Sequence, residues 1–127
     1  MNKLRGANKN RIAKIVSWSP PPTGWHKINT DGAFNNKNML ASAGGFIRDS
    51  NGKWLGGFAF NIRSCSITDA ELWGIHEGLL LAWDLGLKKV LLESDSACAV
   101  EMILKHPNPV IQHKHIISKI RDLLNNE

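Results

Sequence analysis

The chain has 127 residues, enough for one domain with a single buried core. A hydrophobic fraction of 43% excludes a disordered chain, and no apolar run approaches the roughly 20 residues that span a bilayer. The net charge of +5 is uneven: Lys3, Arg5, Lys9, Arg11, Lys14 and Lys27 precede the first acid, Asp31, and the remainder is close to neutral.

Residues 1–24 read as a basic, proline-containing N-terminal arm. Such an arm suits a phosphate backbone, and it equally suits a solvated tail. No apolar stretch follows Met1-Asn2-Lys3-Leu4-Arg5, so a secretory signal is not expected. Cys65 and Cys98 stand alone, without CxxC spacing. They fit an intracellular protein, nuclear or cytoplasmic, with buried reduced thiols better than a disulfide scaffold or zinc site. Ser19-Pro20-Pro21-Pro22-Thr23-Gly24 reads as a stiff linker, and the folded domain, residues 25–127, is expected to begin near Trp25.

Trp25 to Phe34 reads as the first strand of that domain, and Asn35 to Asn38 as a polar turn. Ala41 to Arg48 reads as the second strand, where Gly44-Gly45 marks a close backbone approach or a bulge. Asp49-Ser50-Asn51-Gly52 is a hairpin turn, and Lys53 to Ile62 the third strand. Trp54, Phe58 and Phe60 alternate along it on one half-buried face. Thr68 or Asp69 can cap a helix that runs to about Leu85 and stops at Gly86. Leu72, Ile75, Leu79 and Trp83 recur at helical spacing, with Glu71 on the first turn. Beside Glu71 runs a stripe of small residues, Gly74, Gly78 and Ala82, which predicts a helix packed very close to a sheet. Lys88 to Ser94 has the continuous apolar character of a buried parallel strand. Ser96 to Lys105 reads as a helix broken by Pro107 and Pro109, and Val110 to Leu124 as a last helix. The fold class expected is α/β: three antiparallel strands plus a parallel fourth, with helices packed on the sheet.

Three acids stand in apolar settings: Asp31 in the first strand, Glu71 at the helix start, and Asp95 after the fourth strand. Each has an ordinary alternative. Asp31 before Gly32 could serve a turn, Glu71 the helix macrodipole, and Asp95 an N-cap. If the first and fourth strands are neighbours, however, the three converge. Their repulsion must then be relieved by protons or metal. Hard oxygen ligands suit Mg²⁺ or Mn²⁺ rather than zinc, and paired ions of this kind can drive phosphodiester cleavage.

Thr30-Asp31-Gly32-Ala33, then Ala70-Glu71-Leu72, then Glu93-Ser94-Asp95-Ser96 resembles ribonuclease H type 1. The entry Trp18-Ser19-Pro20-Pro21-Pro22, followed by Gly24-Trp25-His26-Lys27-Ile28-Asn29-Thr30-Asp31-Gly32-Ala33, is similar to plant ribonuclease H-like domains related to non-LTR retroelement reverse transcriptases. The resemblance covers about residues 18–124. It implies strand order 3-2-1-4 and Mg²⁺-dependent hydrolysis of the RNA strand of RNA–DNA hybrids. It implies two Mg²⁺ (or Mn²⁺) ions held by Asp31, Glu71 and Asp95, with Asp31 bridging them, and nucleic acid passing close to the backbone at Gly32. The family pattern continues into a fifth strand, a loop histidine and a fourth acid, for which this sequence shows no match. Glu101, Asp122 and Glu127 read as helix-surface or terminal charges, and His113 and His115 fall in the last helix. His26, His76 and His106 read as ordinary surface or half-buried residues. Ile67-Thr68-Asp69 stands where many members carry amides that touch the hybrid, and Trp18 is the one aromatic placed for an exposed contact.

Without a fifth strand, one sheet edge is expected to lie open, inviting self-association or a partner chain. The alternatives to a hybrid nuclease are a non-catalytic nucleic-acid-binding module and an inactive retroelement-derived remnant. No membrane association is expected.

Overall fold

The computed structural model describes residues 11–16, 20–63, 66–105 and 113–125. The chain first lays down a strand, β1 (Ile12–Val16). β2 (His26–Asn35), β3 (Leu40–Arg48) and β4 (Trp54–Arg63) follow as an antiparallel meander. Helix α1 (Ile67–Asp84) crosses to β5 (Lys89–Ser94), which runs parallel to β2. Helices α2 (Ala97–Leu104) and α3 (Lys114–Asn125) come last. The sheet order is β1-β5-β2-β3-β4. The meander and its parallel neighbour are therefore arranged as expected, and one strand is added.

That strand corrects the reading of residues 1–24 as an arm and of residue 25 as the start of the folded body. Ile12–Val16 pairs in parallel with β5, from Ile12 beside Lys89 to Val16 beside Glu93. Ala13 and Ile15 pack against the core. Lys14 alternates to the other face, where its Nζ stands 5.6 Å from the Trp25 ring centroid. Arg11 is buried, with its guanidinium 5.0 Å from the Trp83 ring, a cation–π contact. Charges counted toward an arm thus belong to the folded body. The edge of β5 expected to lie open is covered by the chain's own strand, which removes that ground for self-association. Pro22 to Trp25 forms a turn, closed by the Trp25 N–H donating to the Pro22 carbonyl at 3.0 Å with Gly24 at φ +87°. Trp18, Cys65, His106, Pro107, Pro109 and Glu127 lie outside the described residues.

One sheet face meets the helices. Ile28, Thr30 and Gly32 of β2 point toward α1, and Ile28, Ile47, Leu79 and Leu92 are fully buried there. The small-residue stripe has the predicted effect. A Cβ on Gly74 would reach the Ala43 Cβ at 3.5 Å, and one on Gly78 would lie 2.9 Å from Ile28 Cγ2. The N-cap of α1 is Ser66 rather than Thr68 or Asp69. Its side chain accepts from the Asp69 N–H, and Asp69 accepts from the Ser66 N–H, a capping box. Glu71 consequently sits beyond the first turn. At the other end Gly86, at φ +78°, donates to Trp83 O and Leu87 donates to Ala82 O, a Schellman stop. α3 buries Ile116, Ile117 and Ile120. From it Arg121 donates to the Met102 and Ile103 carbonyls, both at 3.0 Å, and so satisfies the end of α2.

One further expectation is narrowed and two change. The register stays even through Gly44-Gly45, which is a close approach rather than a bulge: a Cβ on Gly45 would lie 2.5 Å from Asn29 O. The irregularity falls at Ile47/Arg48, where Gly56 pairs with Ile47 and Trp54 with Arg48. The extra residue moves Trp54 off the face of Phe58 and Phe60, against Gly57, and leaves it 64% exposed. Cys98 is exposed rather than buried. No described helix is long and apolar enough to cross a membrane.

Candidate active site

β2 and β5 bring two of the three acids together by register alone. The last paired residues are Thr30 and Ser94, so Asp31, within β2, and Asp95, just past the end of β5, are the next residues along the two chains. Both are exposed and line one cleft of about 290 Å³, together with Asn29, Phe46 and Glu93. The Asp95 side chain is not used as a helix cap. Ser96 caps α2 instead, its hydroxyl accepting from the Ala99 N–H at 3.1 Å.

Glu71 arrives from the helix side. It is 7% exposed, and it packs on Gly32 so closely that a Cβ there would lie 2.9 Å from Glu71 N and 3.1 Å from Glu71 Cδ. Gly32 has no side chain because α1 occupies that space. Burial pushes the Glu71 carboxyl above its ordinary range, and the charge of Asp31 pushes it further. A backbone hydrogen bond from Gly32 partly offsets both, and Asp95 adds a smaller upward push. The Gly32 N–H also donates to Asp31 Oδ1 at 2.9 Å.

The donor set fits a hard divalent cation. Glu71 Oε2 is buried and accepts no hydrogen bond among the described residues, an unsatisfied carboxylate oxygen on a group that feels the charges of two other acids. Among the described residues no three His, Cys, Asp or Glu side chains are drawn into a ready-made cage. Asp31 and Asp95 share one cleft, and Glu71 approaches from the α1 side without closing around them.

Two residues of this region carry more than their sequence context indicated. Lys27 is fully buried, and its Nζ lies 2.7 Å from Glu93 Oε1. Asn29 Nδ2 donates to the same oxygen at 3.4 Å. The available signal was parity: Lys27, Asn29 and Asp31 alternate along one face of a strand whose other face is apolar. Of the histidines, His113 precedes α3 rather than lying in it. It is buried, and its Nδ1 lies 2.7 Å from Asp69 Oδ1, where an imidazole N–H donates to a carboxylate.

Residues 29–127 match the family model described as reverse transcriptase-like. The chain belongs to the reverse transcriptase-like family. It is 46% identical over 99 residues to an Arabidopsis thaliana protein that carries a provisional ribonuclease H name; the match covers 78% of this chain and 16% of that protein's length. The fold is that of ribonuclease H1. The enzyme from the archaeon Halobacterium salinarum superposes with a TM-score of 0.73 at 18% identity, covering 80% of this chain and 78% of that one. LC11-RNase H1, isolated from compost and crystallised with an RNA/DNA hybrid, gives 0.66 at 23% identity, covering 77% and 75%.

Proposed function

We propose that this domain is a Mg²⁺- or Mn²⁺-dependent endonuclease that hydrolyses the RNA strand of RNA–DNA hybrids. The observation that carries the reading is Glu71, a buried carboxylate with an unsatisfied oxygen, packed on Gly32 and close enough to Asp31 and Asp95 to feel both charges. Such a group is unfavourable when ionised alone, and a divalent cation relieves it. Asp31, Glu71 and Asp95 would hold the metal, two ions being the expectation from the family. Bound there, it would supply Lewis acidity toward a phosphodiester and a water activated near neutral pH. The protein's own part is to fix the carboxylates. The parallel register brings Asp31 and Asp95 to the ends of neighbouring paired residues, and the α1–Gly32 contact holds Glu71 next to the strand of Asp31, which supports this reading. No side chain is required as a nucleophile.

The hybrid as substrate follows from the relative crystallised with one. It would lie along the cleft on the exposed side of Asp31, touching the main chain near Gly32 rather than its α-carbon, which α1 covers. A second reading, a nucleic-acid-binding module without turnover, is favoured by the lack of a closed carboxylate cage among the described residues. An inactive retroelement-derived remnant is the third.

The test is incubation of labelled hybrid with Mg²⁺ or Mn²⁺, beside Asp31→Asn. Cleavage by the parent and none by the variant is the expected result. Parent and variant behaving alike would sink the enzyme reading. Hybrid binding without cleavage would then favour the module, and neither activity the remnant.

A further inference from the structure

The metal reading of the cleft leaves one acid unassigned. Glu93 stands two residues before Asp95 and lines the same cleft as Asp31 and Asp95. Its Oε1 is held by Lys27 at 2.7 Å and by Asn29 at 3.4 Å. Its Oε2 takes no partner among the described residues. Lys27 and Asn29 belong to the strand that carries Asp31, and Glu93 to the strand that leads into Asp95. The ion pair therefore ties together the two strands that present the acids.

Stability alone is a weak reason for such a pair. Lysine is almost never fully buried, and well-packed apolar residues often replace a buried ion pair without loss. What an apolar pair could not do is hold a carboxylate in a fixed orientation at the cleft floor. A cation that ligates only a few protein oxygens keeps much of its water, and that water needs oriented acceptors. Glu71, which packs on Gly32 next to Asp31, keeps its Oε2 buried and without a partner among the described residues, and that also points to a cation at these acids.

Resting on the metal reading above, we propose that Glu93 is a positioning residue of this cleft. Clamped by Lys27 and Asn29, it accepts hydrogen bonds from the water shell of a divalent cation held by Asp31 and Asp95.

The test uses the whole chain and Mn²⁺ alone, with free ion followed by paramagnetic resonance and melting recorded in parallel. The parent is expected to bind Mn²⁺, and Asp31→Asn to lose most of that binding. Glu93→Gln, which keeps an acceptor for Lys27, should weaken binding about tenfold. The neutral pair Lys27→Met with Glu93→Gln keeps the proposal testable if the single variant folds poorly. It should melt near the parent and still show the loss. Parent-like affinity in the folded neutral pair would overturn the role of Glu93 and leave the metal reading standing. A parent that binds no better than Asp31→Asn would overturn both.

Discussion

The close approach of α1 to β2 makes a prediction in which one chemical change has opposite signs at two glycines. At Gly32 an added methyl would stand 2.9 Å from Glu71 N and 3.1 Å from Ala70 C, both backbone atoms that cannot rotate away. Relief requires the start of α1 to move back by roughly 0.5 Å toward ordinary contact distance, against a packed core. Overpacking of this kind costs about 1–3 kcal/mol. At Gly74 the added methyl would meet the Ala43 Cβ and Asp31 O at 3.5 Å, ordinary contact. There the helix gains up to about 1 kcal/mol of propensity. In urea denaturation with a slope of about 2 kcal/mol/M, Gly32→Ala should lower the midpoint by about 1 M, and Gly74→Ala should raise it by up to about 0.5 M. Gly32→Ala should also weaken Mn²⁺ binding, because the retreat of α1 carries Glu71 away from Asp31. Equal midpoints for parent and Gly32→Ala would refute the contact. A loss at Gly74 as large as that at Gly32 would refute the distinction between a 2.9 Å and a 3.5 Å approach.

Two further outcomes follow from the same region. The Glu71 carboxyl is held above its ordinary 4.5, chiefly by burial and then by Asp31. Between that value and the raised one the folded chain keeps a proton that the unfolded chain releases, so stability falls as pH rises through the window. With chelator present, Glu71→Gln should therefore gain melting temperature over the parent as pH rises from about 4 to 7, and saturating Mg²⁺ should narrow the gap. A pH-independent difference would contradict the burial. His113→Ala should cost about 1–3 kcal/mol by removing a buried imidazole and its hydrogen bond to Asp69. A double-mutant cycle with Asp69→Ala should return a clear coupling, and additive losses would show that the 2.7 Å contact contributes nothing.

The meander, the crossover helix and the parallel strand were legible because each carries a strong local signal: the Asn51-Gly52 turn, the period of Leu72, Ile75 and Leu79, and the apolar run Val90-Leu91-Leu92. β1 was not. Ile12-Ala13-Lys14-Ile15-Val16 has strand character, but it is short, lies among basic residues and pairs with a strand more than seventy positions later. Its place depends on a partner that local sequence does not name. Trp54 failed for a related reason. Alternation assigns faces only while the register holds, and one extra residue opposite Ile47/Arg48 reverses the assignment. Cys98 was misplaced because α2 is only eight residues long and buries a narrow face, with Ala99 and Ile103 inside and Cys98 outside.

The acids were legible as a set and ambiguous one by one, and the structure bears on each ordinary alternative separately. An N-cap role for Asp95 is unnecessary, because the Ser96 hydroxyl already accepts from Ala99. A macrodipole role for Glu71 is weak beyond the first turn, where the effect has decayed and Asp69 already supplies the charge. A turn role for Asp31 does not apply in mid-strand, where it pairs with Gly44. The same local chemistry explains why these roles looked credible. The residue before a cap and the residue after a first turn each differ from the ordinary case by one position. Secondary-structure boundaries read from sequence are uncertain by at least that much. What separates the readings is therefore where an element begins, and that is fixed by Ser66, Ser96 and the β2–β3 register rather than by the acids themselves.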